Sequence, residues 1–169
     1  MDEKIDFKNE ETKKVFLKYA LPCSEDRDKS KIIRYIKKDL DIDLDIQKSF
    51  PMAINMLKIL SKEKNENKIN KEIIREYFWF KHAEMLKENN PNKEIDKCLV
   101  LPGKIKKKHG KRKTVELVNG EERTINTEIL ENTEKGSWIT VHWDYGCENI
   151  EEKDKNNIND FLLKSKIIN

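Results

Sequence analysis

The sequence predicts an α+β protein in which an N-terminal all-helical domain precedes a small, partly closed β-barrel with a C-terminal helix. The first 97 residues contain no glycine and carry apolar residues at helical spacings. All five glycines lie between residues 103 and 146, where β-branched residues begin to alternate, a pattern typical of short strands and turns. We therefore expect two domains, residues 1–97 and residues 98–169.

Composition and charge exclude several classes of protein. Charged residues make up 40% of the 169 residues and hydrophobic residues 36%, so the predicted core is thin. The net charge of +3 argues against a globally basic nucleic-acid-binding protein. No segment has the ~18 apolar residues of a membrane span, and the amino end lacks the apolar region of a signal peptide. Three cysteines without a CxxC pair suit a reducing compartment, so we expect a cytoplasmic protein with no membrane partner.

Four helices are expected in the first domain, over residues 9–20 and 27–39, from about residue 50, and over 70–87. Ser49 before Phe50-Pro51 is the expected cap of the third helix, and Asn70 that of the fourth. Acidic and apolar residues alternate over 41–46, which could form an edge strand, but mutual repulsion of the acids favours a loop. The apolar faces of the helices indicate a core, and a partner groove is the alternative.

Strands of the second domain are expected at residues 99–107, 114–118, 123–125 and 137–143, within a set of five. Asn119-Gly120 predicts a hairpin turn in which both residues have positive φ. Five short strands in about 50 residues cannot make two packed sheets, so a small barrel is the economical solution. A final helix over 151–168 is expected to cover the barrel with Ile158, Phe161, Leu162 and Leu163.

Residues 104–113, which we call the basic hairpin, contain seven Lys or Arg around His109-Gly110. On an OB-type barrel such a loop could bind single-stranded nucleic acid through its phosphates. The alternative is a solvated hairpin tip, and the overall charge balance disfavours a nucleic-acid partner. The candidate phosphate contacts are Lys106, Lys107, Lys108, Lys111, Arg112 and Lys113.

The chain has no recognisable catalytic motif. It lacks a Walker loop, GxGxxG, HExxH and GxSxG, and its three histidines, His82, His109 and His142, fall in separate predicted elements. Cys98 opens the first predicted strand and His142 closes a later one, but their spacing does not decide whether they meet. A nucleophilic cysteine is one interpretation and a structural cysteine the other. We expect no enzymatic activity.

Two segments resemble a known family. Cys98-Leu99-Val100-Leu101-Pro102-Gly103-Lys104 is similar to the Cys-Leu-x-aliphatic-Pro-Gly-(Lys/Arg/Gln) opening of the HypC/HupF hydrogenase-maturation chaperones. Gly136-Ser137-Trp138-Ile139-Thr140-Val141-His142 resembles the family's Gly-(Asp/Gln)-(Trp/Tyr)-Val-Leu-Val-His segment. Residues 123–130 fit the stretch between the two motifs, and the final helix also corresponds. The resemblance covers residues 98–166 and leaves the helical half unassigned.

The resemblance implies an OB-like barrel with a C-terminal helix and the role of an assembly chaperone or adaptor. Such proteins pass iron with its diatomic ligands between a maturation factor and the precursor of the hydrogenase large subunit, which are the implied partners. Cys98 and His142 would be the transient iron ligands, with Pro102 and Gly103 completing the binding site and no stably bound cofactor. Thiolate is a soft ligand that suits iron, and imidazole can bind metal or hold a proton nearby.

This chain differs from the family's pattern in two places. The family's cysteine stands at or next to the mature amino terminus, whereas 97 residues precede Cys98 here. After the histidine the family usually has a Val-Gly-Phe-Ala run, whereas this chain has Trp143-Asp144-Tyr145-Gly146-Cys147. The second difference changes the surface that a partner would meet.

Overall fold

The computed structural model describes residues 6–38, 41–92 and 94–169. Residue contacts group the chain into two compact units, one ending at Tyr77 and the other running from Phe78 to Asn169. Across the described residues, no helix combines the length and the apolar character needed to cross a membrane. The predicted boundary between residues 97 and 98 stays a prediction. The contacts group residues 78–97, including the last helix before that boundary, with the second unit.

The helices follow the predicted order. They are α1 (Glu10–Ala20), α2 (Asp26–Lys38), α3 (Ile46–Ser49), α4 (Pro51–Glu63), α5 (Lys71–Glu76), α6 (His82–Asn89) and α7 (Glu152–Lys164). A short 3₁₀ turn, Leu21–Cys23, follows α1, and the π-helical segment Tyr77–Lys81 joins α5 to α6. Asp39, the expected last residue of the second helix, lies outside the described residues. Residues 41–45 form the predicted loop.

The helix caps show where the local sequence was sufficient to predict a helix end and where it was not. The Asn70 side chain accepts a hydrogen bond from the backbone N–H of Ile73 at 2.9 Å, which confirms the predicted cap. The predicted Ser49 cap is wrong, because Ser49 ends the short α3, which Asp45 caps instead. Helix α4 then begins at Pro51 without a side-chain cap.

The first unit has an apolar core built from the inner faces of its helices. Phe16 of α1 lies at its centre, fully buried, with its ring centroid 5.6 Å from Phe7 and 5.7 Å from Phe50. A parallel bridge between Phe7 and Ile69 ties the segment before α1 to the segment before α5. Burial and the neighbouring Cys23 raise the pKa of Tyr77, at the end of this unit, to about 12.

The second unit contains a closed five-stranded barrel with strand order β1-β2-β3-β5-β4. Its strands are β1 (Val100–His109), β2 (Arg112–Leu117), β3 (Glu122–Asn126), β4 (Trp138–His142) and β5 (Tyr145–Ile150). The predicted fold class, helices followed by an OB-like barrel and a C-terminal helix, is confirmed. The sequence had given no range for β5, which carries the buried Cys147.

Two details of the barrel differ from expectation. In the Asn119-Gly120 turn only Gly120 has a positive φ, +88°, because the turn closes by a bond from its N–H to the carbonyl of Leu117, one residue earlier than predicted. Helix α7 buries Ile158 and Leu162, whereas Leu163, expected to cover the barrel, is 44% exposed.

Helix α6 packs within the second unit. The ring of Phe80, just before α6, lies 4.9 Å from that of Phe161 in α7. Lys87 donates hydrogen bonds to the carbonyls of Ser165 at 2.5 Å and Lys166 at 3.1 Å. These contacts join the segment before residue 90 to the end of the chain.

Cleavage of the backbone between α6 and β1 should therefore leave the fragments associated. We expect a chain with a specific protease site inserted after Asn92, an exposed position, to elute as one species in size-exclusion chromatography after complete cleavage. The fragments should separate only in denaturant. A barrel fragment that elutes alone would instead support an independent domain starting near residue 98.

Candidate functional site

Cys98 lies in a tight turn directly before β1. In this cysteine turn, residues 95–98, the N–H groups of Cys98 and Leu99 both donate to the carbonyl of Ile95, at 2.9 and 3.1 Å. The Cys98 side chain is half-buried, whereas Cys23 is exposed and Cys147 is buried. The position of Cys98 therefore leaves its thiol partly accessible.

His142 is the last residue of β4 and is fully buried. The antiparallel ladder pairs His142 with Val100, the first residue of β1. Because the cysteine turn ends just before Val100, the register brings Cys98 and His142 to the same end of the barrel. The hydrogen bond from the N–H of Trp143 to the carbonyl of Lys97, 3.0 Å long, fixes this juxtaposition.

His82 is the residue that sequence reasoning missed. Its Nε2 lies 3.0 Å from the carbonyl oxygen of Cys98, and because a carbonyl only accepts, Nε2 donates. Its ring also meets that of His142 edge-on, with centroids 5.6 Å apart. Phe78, one helical turn earlier, packs against both rings at 6.1 and 6.3 Å. The only sequence signal was the Phe78/His82 spacing of four residues, which puts both on one helix face.

Burial sets the charge state of this cluster. Burial lowers the pKa of His82, an effect that outweighs the opposing hydrogen bond to the Cys98 carbonyl, so the ring is neutral at neutral pH. Burial also raises the pKa of the Cys98 thiol. The thiol thus keeps its proton near pH 7, and binding a soft metal ion would release that proton.

The two remaining residues of the predicted binding motif lie inside the sheet. Pro102 pairs with Thr140, and Gly103 pairs with both Ile139 and Leu117. Both Pro102 and Gly103 are buried. A Cβ on Gly103 would lie 2.9 Å from Cδ2 of Leu117, so a larger residue at this position would require the Leu117 side chain to move. A part for either residue in binding stays a prediction.

The basic hairpin forms the far end of β1 and the start of β2. Lys107, Lys108, Lys111 and Arg112 are exposed, and Lys106 is half-buried and 3.9 Å from Glu116. Lys113 differs from the prediction because it is buried and donates a hydrogen bond to the Thr133 hydroxyl. Burial, and then the charge of Lys108, lower its pKa. The ammonium of Lys113 is therefore bound to the Thr133 hydroxyl and is not exposed with the other cations of the basic hairpin.

One aromatic residue adjoins the basic hairpin, but its ring is covered. Trp138, the first residue of β4, forms the last pair of the β1–β4 ladder, opposite Lys104 at the start of the hairpin. The ammonium groups of Lys155 and Lys104 lie 4.7 and 5.8 Å from its ring centroid. These cations compete with a nucleobase for the ring.

The described residues contain no group of three or more His, Cys, Asp or Glu side chains able to hold a metal ion together. Although His82 is near both Cys98 and His142, these three residues do not form such a group in the described part of the chain. A metal carried at this end of the barrel would need ligands of its own or from a partner.

Residues 98–162 match the protein-family model of the HupF/HypC family. The match begins at Cys98 and ends in α7, so it spans the barrel and covers less than half of the chain. No curated protein matches the chain. The predicted resemblance of the C-terminal region is thus confirmed, and His82 lies outside the matched residues.

The hydrogen bond from His82 should stabilise the protein measurably. We expect His82→Leu, which leaves the Cys98 carbonyl without this donor, to lower the free energy of unfolding by about 1–3 kcal/mol. His82→Gln keeps an N–H at similar reach and should lose less. Urea denaturation at pH 7.5 would measure both, and equal losses would contradict a specific role for the donor.

Stability should also depend on pH through His82. Because its pKa is lowered in the folded protein, unfolding takes up a proton once the pH falls below the ordinary histidine value of 6.5. The free energy of unfolding should therefore decrease from pH 7 to pH 5, with a smaller decrease in His82→Gln. Parallel pH profiles of the two proteins would exclude this contribution.

The three cysteines should react with iodoacetamide at different rates. At pH 7 exposed Cys23 should react first, half-buried Cys98 more slowly, and buried Cys147 only on unfolding. Because burial raises the pKa of Cys98, its rate should continue to rise above the ordinary pKa of a thiol. Peptide mass spectrometry over a pH series would measure this, and a rate for Cys98 that is already maximal at pH 7 would contradict it.

Proposed function

We propose that the protein is a non-enzymatic, HypC-like assembly chaperone or adaptor for the metal centre of a nickel–iron hydrogenase. At the level of the family, the match of residues 98–162 supports a chaperone of hydrogenase maturation. We propose two protein partners, a maturation factor and the precursor of the hydrogenase large subunit. The cargo is an iron ion with its diatomic ligands, held transiently and not as a resident cofactor.

The observation that carries this proposal is the position of Cys98. The family match begins at this residue, and the thiol is half-buried at one end of a closed barrel, where a partner could reach it. The backbone around it is fixed by His82 and by the Lys97–Trp143 hydrogen bond. A partly accessible thiol on a rigid backbone suits a ligand that must bind and then release its cargo.

Cys98 and His142 would have different roles. The Cys98 sulfur is the soft ligand, and it loses its proton as iron binds. Full burial of His142 favours a supporting role, in which its ring holds a proton or packs beside the cysteine turn and does not ligate iron directly. The remaining positions around the iron would be filled by its diatomic ligands and by groups of the partner. We place the protein in the cytoplasm, where a free thiol would persist.

The alternative is an OB-type binding module, for protein or single-stranded nucleic acid, without a role in metal assembly. The exposed cations of the basic hairpin support nucleic-acid binding. Trp138 argues against nucleic-acid binding. Its ring lies beneath Lys104 and Lys155, so it offers a nucleobase no free face for stacking beside the hairpin. We therefore favour the chaperone.

Cys98→Ser tests the chaperone directly. Serine keeps nearly the same volume but offers a hydroxyl that hardly ionises at neutral pH, so hydrogenase maturation in cells should fall at least tenfold while the fold is retained. Hydrogenase activity and the melting temperature would be measured together.

Cys23→Ser is the matched control, because Cys23 is exposed. Cys147 is less suitable because its side chain is enclosed in the barrel. Maturation by the Cys98 variant at the level of the wild type would refute the metal-carrying role and leave the barrel as an interaction module.

A further inference from the structure

Trp143 has a backbone conformation that its side chain disfavours. It is the first of two residues in the tight turn between β4 and β5, since His142 pairs with Tyr145 across it. We call Trp143 and Asp144 the tryptophan turn. Trp143 has φ +56°, the left-handed region that Gly, Asn and Asp occupy readily and a bulky side chain does not. Glycine at this position would remove the strain.

The rest of the structure imposes this conformation. The Trp143 N–H donates to the Lys97 carbonyl at 3.0 Å, and its own carbonyl accepts from Arg123 at 2.7 Å. The Asp144 carbonyl accepts from the Asn126 N–H at 2.7 Å. Two separate segments, the cysteine turn and β3, thus fix the tryptophan turn, and all three bonds use its backbone.

Arg123 is itself held in place. Its guanidinium binds Glu121 through two hydrogen bonds of 3.1 and 2.6 Å, and the pKa of Glu121 is lowered mainly by this contact. The carboxylate therefore stays charged and orients the donor that reaches Trp143. None of these interactions requires an indole.

The indole is also the most exposed of the three in the chain. Trp143 is 38% exposed, whereas Trp79 is 8% exposed and Trp138 lies beneath Lys155. Since the Trp143 N–H is bonded to the carbonyl of Lys97, the residue before Cys98, the tryptophan turn lies next to the cysteine turn. A large, rigid aromatic side chain kept in a strained backbone and left in solvent is a sign of function.

We propose that Trp143 is the anchor by which a partner protein docks over the Cys98 end of the barrel. This inference rests on the proposed function and names the contact that brings a partner to the thiol. The partner is a folded protein with an apolar pocket for the indole and an acceptor for its N–H, as in tryptophan hot spots. A nucleic acid fits less well, because the basic hairpin lies at the other end of β1, about 30 Å along an extended strand, and leaves Lys97 as the exposed cation beside the tryptophan turn.

Trp143→Gly separates this role from a structural one. The change removes the indole and relieves the backbone, so the melting temperature should stay the same or rise by up to about 4 °C. Affinity for the purified large-subunit precursor should fall at least tenfold, which titration calorimetry would measure. A clear fall in melting temperature with unchanged affinity would show that the indole is structural and overturn the proposal.

Two further variants sharpen the test. Trp143→Asn also suits positive φ and should behave like the glycine variant, which makes the result independent of glycine's flexibility. Trp138→Phe removes an indole at the opposite end of β4 and should bind the precursor as the wild type does.

The outcomes separate this inference from the proposed function. If the wild-type chain binds neither the precursor nor the maturation factor, the proposed function fails and this anchor fails with it. If the wild type binds and Trp143→Gly binds equally well, only the anchor is refuted. Binding of a single-stranded oligonucleotide that is lost in Trp143→Gly would overturn the protein partner in favour of base stacking.

Discussion

The pairing of β1 with both of its neighbours is the constraint on which the second unit depends. This ten-residue strand forms ladders with β2 and β4, and those ladders close the barrel. The same register places the first residue of β1 beside His142 and so brings the cysteine turn and the tryptophan turn together. The basic hairpin lies at the opposite end of β1. A single strand therefore separates the thiol from this cluster of cations.

Cys98 precedes β1, and a hydrogen bond from His82, the first residue of α6, holds its backbone. The His82 donor reaches the Cys98 carbonyl, and the rings of His142 and Phe78 pack against His82 in the buried cluster. Burial strengthens the hydrogen bond and keeps the imidazole neutral. His82 directly follows the π-helical segment Tyr77–Lys81. Residues before the family-matched region thus take part in building the site.

The local sequence determined the kinds of elements and several of their ends. Segments without glycine and with apolar residues at helical spacing form the helices. Segments rich in β-branched residues and interrupted by glycines form the strands and turns. Asn70 capped its helix because a cap depends on residues within one turn. Cys98 lies in the turn just before β1 and not in the strand that it was expected to open, but the continuous motif still located it at the entry to β1. Each of these predictions rests on interactions between residues that are close along the chain.

The tertiary structure alone decided which side chains are near one another. His82 and Cys98 are 16 residues apart and meet only because α6 packs within the barrel's unit. Lys113 belonged by sequence to an exposed cationic run, but its register on β2 buries it against Thr133. The positive φ of Trp143 likewise follows from the closure of β4 onto β5 and from bonds of the tryptophan turn to two distant segments, the cysteine turn and β3. Such contacts depend on chain register and packing, which residue types and local periodicity do not specify.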